Sequence, residues 1–359
     1  MDMKTIAGIE VRPGERRYSE IPVTTMAAGH RIHIPVHVIR GVEEGPVVGV
    51  VAVQHGHEFS VINIQKQLLE LLDPSRLRGA VVCVPIINAV AFEWASRGGW
   101  SDGLWGPHGD IGRLWPGNPQ GWLAEKIAHV FSTQVLPDID VLFDFHGDAP
   151  HTRFTDHYIG YSAVHGELGE RTANIGRIFG MEIVLRRPLG GTNTLTGYAM
   201  SQGKPAFGVE LGDFWGLDVE RAPDGSGKRK PLTEVGVRGI TNVLKYLDMS
   251  DGEPELPTYQ VEVGGFASVA PAHGGLMIPE VTRKDIGRIF PRDHVLGRII
   301  SPYTFEELDI LQAPYEENLL VAVRDAEPFT HMQPGGGDLG FSVVDWSSAA
   351  WTLGNPSNV

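Results

Sequence analysis

The chain has 359 residues, of which 42% are apolar and 21% are charged; this is an ordinary globular composition, and it excludes a disordered or fibrous protein. A total of 30 Lys and Arg against 44 Asp and Glu gives a net charge of −14, which argues against nucleic acid or an anionic membrane as a partner. The only cysteine, Cys83, excludes an internal disulfide and a cysteine-based metal cluster, so a metal site would have to use His, Asp and Glu.

The N-terminal part of the chain predicts extended structure. Residues 1–14 carry charges and no continuous apolar core, so we expect no secretory signal and a cytoplasmic location. In Arg31–Ile39, apolar residues alternate with His33, Pro35 and His37, which is the period of a strand with one solvated face. Pro35 favours an edge strand, because proline cannot donate a ladder hydrogen bond.

Strands and helices are predicted to alternate between residues 46 and 247. Continuous apolar runs indicate buried strands, and apolar residues at helical spacing indicate helices. The predicted strands are 46–53, 79–85, 139–145 and 205–211, and the predicted helices are 62–72, 123–135 and 232–247. This order is typical of an α/β fold with a mixed, mostly parallel sheet flanked by helices. We predict such a domain over residues 1–250. No apolar run reaches the roughly 20 residues that span a bilayer, so we expect no membrane segment.

The C-terminal part of the chain has a different texture. A polar linker with two prolines occupies residues 251–257, and short apolar runs separated by Gly and Pro follow it. Such runs predict short strands with tight turns. We therefore predict a small β-rich lobe over residues 256–345.

Polar residues with metal-binding chemistry follow three of the predicted strands. His55 and Glu58 come after the first buried strand, His146 comes at the end of 139–145, and Glu210 comes near the end of 205–211. The carboxyl ends of parallel strands meet at one edge of a sheet, where such folds place their chemistry. Two His and one Glu leave a fourth position for water on a catalytic zinc ion. A lone His-x-x-Glu is common without a metal, and His57 is a second nearby imidazole. The carboxylate of Asp144 could orient a ligand imidazole without itself binding the metal.

The order of motifs resembles the succinylglutamate desuccinylase/aspartoacylase family, whose members are relatives of the zinc carboxypeptidases. The resemblance runs from about residue 47 to 323. The matching segments are His55-Gly-His-Glu58, Asp110-Ile-Gly-Arg113-Leu-Trp-Pro-Gly117, Asp144-Phe-His146, Val209-Glu210-Leu-Gly212 and Ala270-Pro-Ala-His-Gly-Gly275. It implies a zinc-carboxypeptidase-like fold with a C-terminal β lobe.

The resemblance also implies the roles of single residues. One Zn²⁺ per chain would be bound by His55, Glu58 and His146, with His55 preferred over His57 because of the two-residue gap before the glutamate. Glu210 would be the general base and acid, a role that hydrolysis of an amide requires. Arg113 would bind a substrate carboxylate through two parallel hydrogen bonds, and Arg97 would stabilise the oxyanion. Residues near the substrate in this family correspond to Thr192 and Asn193.

One position departs from the family pattern. Gly112 stands where the family has an asparagine that helps to hold the substrate, so that contact is absent here. The stretch 97–113 is also longer than in typical members and contains Trp100, Trp105 and His108. It either reshapes the pocket around a bulkier substrate or forms a longer surface loop.

The sequence thus predicts a zinc-dependent hydrolase that cleaves an amide bond in a small N-acyl amino acid or a related carboxylate-bearing compound. One alternative is a metallocarboxypeptidase acting on short peptides, and another is a catalytically inactive metal-binding relative. The partner expected is a small-molecule substrate. Assembly into a homo-oligomer is left open.

Overall fold

A computed structural model of the chain describes residues 3–99, 109–147, 154–188, 191–212, 232–324, 330–332, 334 and 340–353. The helices are α1 (Ile62–Leu71), α2 (Ala89–Glu93), α3 (Leu123–Gln134), α4 (Gly166–Phe179), α5 (Leu195–Ser201) and α6 (Leu232–Tyr246). The strands of the first half are β1 (Lys4–Ile6), β2 (Ile9–Val11), β3 (Glu15–Thr25), β4 (Arg31–Arg40), β5 (Glu43–Ala52), β6 (Arg78–Val84), β7 (Val141–Gly147), β8 (Phe154–Ala163), β9 (Ile183–Pro188) and β10 (Ala206–Leu211). Those of the second half are β11 (Gln260–Val263), β12 (Gly265–Val269), β13 (Gly275–Pro279), β14 (Ile289–Pro291), β15 (Val295–Ile300), β16 (Glu307–Gln312), β17 (Glu317–Arg324), β18 (Thr330–Met332), β19 (Phe341–Asp345) and β20 (Trp351–Leu353).

The main sheet has the strand order β3-β4-β6-β5-β7-β10-β8-β9-β11-β20 among the described residues. Its centre, β6-β5-β7-β10, is parallel, and so is the group β8-β9-β11. Antiparallel pairs join β8 to β10 and add β3, β4 and β20 at the sides. The predicted mixed, mostly parallel sheet is therefore confirmed.

Helices cover both faces of this sheet. In β5, Val48 and Val50 belong to one hydrophobic core while Val47 and Val51 belong to another, as the alternation of side chains along a strand requires. Helices α1, α4 and α6 pack on the first core, and α3 and α5 pack on the second. Burial on both faces explains why the central strands read as continuous apolar runs.

The prediction that β4 is an edge strand is wrong. β4 pairs with β3 on one side and with β6 on the other. Pro35 lies opposite Glu20 of β3, outside the stretch His37–Arg40 that pairs with β6. Its missing N–H therefore interrupts no hydrogen bond to β6, and an internal strand tolerates the proline.

The C-terminal segment forms further sheets, which confirms the predicted β lobe as a feature of the fold. One contains β12-β19-β17 with β14 beside β17, and another has the order β16-β15-β13-β18. The first part of β8 pairs with β17, so one strand links the main sheet to the lobe. β11 and β20 join the main sheet itself. The exact division into 1–250 and 256–345 stays a prediction. None of the helices described has the length and apolar character needed to cross a membrane.

Close packing between α4 and α6 gives a testable stability effect. A Cβ added at Gly239 of α6 would lie 2.2 Å from Cζ of Phe179, whose side chain is buried in α4. We expect Gly239→Ala to lower the free energy of unfolding by about 1–3 kcal/mol through overpacking, even though alanine favours a helix over glycine by about 1 kcal/mol. Urea denaturation measures this change.

A second substitution provides the control for that effect. Phe179→Leu should cost less in the Gly239→Ala background than in the wild type, since the smaller side chain relieves the contact. A gain in stability from Gly239→Ala alone would show that the helices do not approach so closely.

Candidate metal centre

The segment after β5 carries the first two candidate ligands. The backbone turns sharply after Ala52, with φ +58° at Val53, and then leads through a short 3-10 turn into α1. His55 and Glu58 are only 5% exposed. A Cβ on Gly56 would come within 1.9 Å of the backbone of Ala91, so only glycine allows this close approach. The turn therefore fixes the two side chains in the protein interior.

His146 brings the third candidate ligand from β7. Because β5 and β7 are parallel neighbours, with Ala52 opposite Phe145, their carboxyl ends lie side by side. Nδ1 of His55 lies 2.8 Å from Oε1 of Glu58, and Nδ1 of His146 lies 2.9 Å from Oε2 of the same carboxylate. The candidate ligand atoms of all three residues lie within 4.8 Å of one another. Three residues far apart in the sequence thus converge on one point.

Two further carboxylates bind the opposite nitrogen of each imidazole. Nε2 of His55 lies 3.0 Å from Oδ1 of Asp110, and Nε2 of His146 lies 3.1 Å from Oδ2 of Asp144. A carboxylate accepts hydrogen bonds, so each Nε2 donates and carries a proton. Each Nδ1 lies against an oxygen of Glu58 in the same way, and a metal bound between them would replace the proton that such a contact needs.

The orienting carboxylates are themselves held. Asp144 also accepts a hydrogen bond from the amide of Gln54, whose Oε1 accepts one from Nε1 of Trp115 at 2.8 Å. Asp110 accepts one from the backbone N–H of Gly112 at 3.0 Å and one from Nε of Arg97 at 3.0 Å. These contacts restrict the rotation of both carboxylates and, through them, of both imidazoles.

Charges in the cluster shift the pKa values in opposite directions. Burial acts to lower the pKa of His146, but Asp144, Glu58 and Glu210 reverse this and raise it well above its usual value. Burial would raise the pKa of Glu58, but His55 and His146 hold it well below the usual range. The pKa of Asp110 is also lowered: burial opposes this, and His55 and Arg97 outweigh it. Several carboxylates around two imidazoles make a site that favours a cation.

Glu210 lies beside this cluster on β10. Residues of parallel β7 and β10 pair so that Glu210 stands opposite His146, with both side chains on one face of the sheet. Burial raises the pKa of Glu210, Glu58 and Asp144 raise it further, and His146 and Arg187 oppose the shift. A carboxyl group with a raised pKa is suited to taking up and returning a proton near neutral pH.

The donor set fits a divalent transition metal. Two imidazoles and one carboxylate with an open fourth position are the ligands of catalytic zinc sites. One oxygen of the orienting group, Oδ1 of Asp144, is buried without a hydrogen-bond partner among the described residues. The cluster can therefore hold a cation and place it next to Glu210.

A model of the Succinylglutamate desuccinylase/Aspartoacylase catalytic domain matches residues 44–222 of this chain. That range includes every residue of the cluster. The chain belongs to the succinylglutamate desuccinylase/aspartoacylase family. The family takes its name from succinylglutamate desuccinylases and aspartoacylases, which are acyl-removing enzymes. The resemblance inferred from the order of motifs is confirmed.

One curated relative in this family is the N-alpha-acetyl-L-2,4-diaminobutyric acid deacetylase of Halomonas elongata. It is 28% identical over 248 residues, a match that covers 67% of this chain and 66% of the relative. The chain thus aligns with slightly less than two thirds of that relative's length.

Solved structures with the family fold align over most of the chain. A succinylglutamate desuccinylase/aspartoacylase from Rhodobacter sphaeroides is 21% identical with a TM-score of 0.76, covering 95% of this chain and 99% of its own. The product-bound ectoine utilization protein EutE (DoeB) from Ruegeria pomeroyi is 19% identical with a TM-score of 0.74, covering 92% and 95%. At these identities the likeness concerns the fold.

The two arginines that the family pattern singles out lie beside the His55 end of the cluster. Arg97 contacts Asp110 through Nε, and 55% of its side chain is exposed. Arg113 ends the short turn that begins after Asp110; it is exposed, and no hydrogen bond or ion pair between described residues involves its guanidinium. Both guanidinium groups are thus accessible to a ligand, and their roles stay predictions.

The glycine that departs from the family pattern lies against a candidate ligand. A Cβ on Gly112 would be 3.2 Å from Nε2 of His55 and 3.0 Å from Oδ1 of Asp110. Thr192 and Asn193 are exposed, and the carbonyl of Asn193 accepts a hydrogen bond from the N–H of Trp115 at 3.2 Å. The Asn193 loop therefore adjoins the segment that carries Arg113. Residues 100–108, most of the longer stretch, lie outside the described residues.

Sequence reasoning missed two residues on the other side of Glu210. Tyr158 of β8 stands opposite Glu210 in the antiparallel pair of β8 and β10, so His146, Glu210 and Tyr158 form a row across three strands. Arg187 of β9 lies over the Tyr158 ring, 5.1 Å from its centroid, and donates a hydrogen bond to its hydroxyl. No motif marks this pair, because it depends on strand register.

Proposed function

We propose that this chain is a Zn²⁺-dependent amidohydrolase that removes the acyl group from a small N-acyl amino acid or a related carboxylate-bearing compound. The observation that carries the proposal is the double orientation of the imidazoles: both Nδ1 atoms face Glu58, and each Nε2 is bound by a separate carboxylate. The family relationship and the deacetylase activity named for the Halomonas elongata relative support the reaction class.

Zn²⁺ would be held by His55, Glu58 and His146. When bound there, it would supply Lewis-acid activation of a water molecule and of the scissile carbonyl. Zn²⁺ is preferred because two imidazoles and one carboxylate are its usual catalytic ligands, whereas Mg²⁺ and Ca²⁺ favour oxygen ligands alone.

Glu210 takes a proton from the attacking water and delivers it to the leaving nitrogen. Its carboxyl group is positioned for this by its place opposite His146, and its raised pKa brings the proton affinity closer to neutral pH. Arg97 stabilises negative charge on the carbonyl oxygen, since it is attached to the cluster through Asp110. Arg113 binds the substrate carboxylate in the fork geometry of a guanidinium. The partner is thus a small molecule, and we include a cytoplasmic location in the proposal.

A substrate panel with metal analysis tests the proposal. We expect hydrolysis of N-acetyl and N-succinyl amino acids, loss of that activity after treatment with a chelator, and recovery with Zn²⁺ at one ion per chain. Dipeptides with a free amino group serve as the comparison, because a metallocarboxypeptidase would prefer them. A fully metallated protein that hydrolyses none of these compounds would contradict the proposal.

The carboxylate of Asp110, which contacts Nε2 of His55, gives a separate prediction about metal affinity. Asp110→Asn removes the negative charge that fixes the Nε2–H tautomer, so we expect the affinity for Zn²⁺ to fall by about 10–100-fold. Competition with a chromophoric chelator measures the dissociation constant. Glu70→Gln changes an exposed carboxylate that pairs with Lys66; it is the control and should leave the affinity unchanged. Equal affinities for Asp110→Asn and wild type would mean that this contact does not tune the site.

The proposed role of Arg113 leads to a prediction about which part of the substrate is recognised. Arg113→Ala should raise KM for carboxylate-bearing substrates by about 10-fold or more, because a charge-assisted hydrogen bond contributes about 1.5–3 kcal/mol. For substrates in which an amide replaces the carboxylate, the rise in KM should be smaller. Arg171→Ala, an exposed arginine on α4, is the matched control. An unchanged KM for the carboxylate substrates would place their binding site elsewhere.

A further inference from the structure

A small cavity lies apart from the candidate metal centre, where β8 passes from the main sheet to the C-terminal lobe. It has a volume of about 20 Å³. Its polar wall is formed by His157, Glu182 and Tyr259, which belong to the main-sheet side. Its apolar cover is formed by Ile286, Gly287 and Leu319 of the C-terminal segment. The cavity therefore lies between the main sheet and the lobe.

The three polar side chains each leave one buried atom without a partner. Nε2 of His157, Oε2 of Glu182 and the hydroxyl of Tyr259 make no hydrogen bond among the described residues. His157 is 7% exposed and Tyr259 is 4% exposed, so bulk solvent does not satisfy them. Buried polar groups in folded proteins almost always have a partner, so three such atoms facing one cavity point to a hydrogen-bonding ligand between them.

Strand register explains why these atoms meet. Ile159 of β8 pairs with Val184 of β9, and His157 and Glu182 each lie two residues before that pair, on the same face. Nε2 of His157 and Oε2 of Glu182 are 3.6 Å apart, which is too far for a direct hydrogen bond but suits a bridging molecule. Tyr259 comes immediately before β11, the neighbour of β9, and its ring stacks on Trp346 at 6.4 Å.

We propose that this cavity binds one structural water molecule, which donates a hydrogen bond to Glu182 and joins His157 and Tyr259 as its other partners. A cavity needs roughly 10–15 Å³ to hold one water molecule, and buried waters typically make about three hydrogen bonds to otherwise unpaired groups. The volume leaves no room for a larger ligand.

The chemistry of the three groups favours water over a metal ion. Burial raises the pKa of Tyr259, so its phenol keeps the proton and acts as a hydrogen-bond donor. Glu182 is the one acidic side chain of the three, and a divalent cation beside a single carboxylate would leave net positive charge among buried groups.

A crystal structure at high resolution tests this site directly. We expect one peak of density within about 3.2 Å of all three atoms, and no anomalous signal there after the crystals are soaked in Zn²⁺ or Mn²⁺. An empty cavity, in a map that shows other buried waters, would overturn the proposal. An anomalous peak, or a direct His157–Glu182 hydrogen bond that closes the cavity, would overturn it as well.

Substitutions at Glu182 and Tyr259 distinguish a bound water molecule from simple packing. Glu182→Gln keeps a hydrogen-bonding group and should retain the density, whereas Glu182→Leu should lose it. Tyr259→Phe should lower the midpoint of urea denaturation, while Tyr246→Phe, at an exposed site, should not. If Glu182→Leu kept the density and Tyr259→Phe kept the midpoint, these groups would not hold the occupant. The outcome does not depend on the hydrolase activity.

Discussion

Glu210→Gln is expected to lower kcat by about 10²–10⁴-fold while the protein still binds one Zn²⁺ per chain. Glutamine matches the shape of glutamate but cannot take up a proton, so the substitution removes proton transfer and little else. The metal ligands are unchanged, and the side chain stays opposite His146 in the register of β7 and β10. Because the effect acts on the transition state, KM should change much less than kcat.

The environment of Glu210 explains why stability should survive this change. Burial raises the pKa of Glu210, which means that the folded protein disfavours its charged form. A neutral amide of the same size is therefore tolerated, and we expect the free energy of unfolding to stay within about 1 kcal/mol of wild type. Urea denaturation of the metal-free proteins checks that the loss of activity does not come from misfolding.

Steady-state kinetics on the best substrate of the panel, with metal content measured on the same samples, decides the outcome. Glu70→Gln makes the same chemical change on the surface of α1 and should retain full activity. A Glu210→Gln protein within a few-fold of wild type would show that another group transfers the proton. Loss of the metal together with the activity would instead assign Glu210 a role in binding the cation.

The strand-end residues could be predicted from the sequence because of a simple geometric rule. Apolar runs identify β5, β7 and β10, and parallel neighbours end at the same edge of a sheet. His55, Glu58, His146 and Glu210 directly follow or end those runs, so their convergence needs no knowledge of distant contacts. The structure brings the first three together and places Glu210 beside them.

Other parts of the site depend on contacts that no local pattern shows. The hydrogen bond between Asp110 and His55 joins residues 55 positions apart through a loop. The row from His146 to Tyr158 exists only because β8 enters the sheet antiparallel to β10, and no strand was predicted over the residues of β8. Arg187 reaches the site through the ring of Tyr158. Register and loop closure are tertiary properties, so motif spacing could not predict these contacts.

The wrong prediction that β4 is an edge strand has a similar cause, because strand pairing is also a tertiary property. Proline lacks a donor, and the rule that places it at a sheet edge holds for each residue position rather than for a whole strand. Pro35 sits where β4 has no hydrogen bond to β6, although the strand is internal further along. Whether a proline interrupts strand pairing thus depends on how far the neighbouring strand extends. Here it depends on where β6 begins and ends.

His146→Ala is expected to abolish metal binding, with fewer than about 0.1 Zn²⁺ per chain after dialysis, because two remaining ligands do not form a catalytic zinc site. Wild-type protein should gain about 2.7 kcal/mol in the free energy of unfolding when Zn²⁺ is present at 100 times its dissociation constant. His146→Ala should show no such gain. Hydrolysis should be lost with the metal, and added Zn²⁺ should not restore it.

The neighbouring imidazoles of His55 and His57 supply the matched comparison for this prediction. Both are almost fully buried, but Nδ1 of His55 lies 2.8 Å from Glu58, whereas Nε2 of His57 lies 3.7 Å away. His55 also has Asp110 on its second nitrogen, and its ring centroid lies 5.2 Å from that of His146, with the two rings tilted by 44°. His55→Ala should therefore lose the metal as His146→Ala does, while His57→Ala should keep it. The reverse result would exchange the two histidines as ligands and remove Asp110 from the metal site.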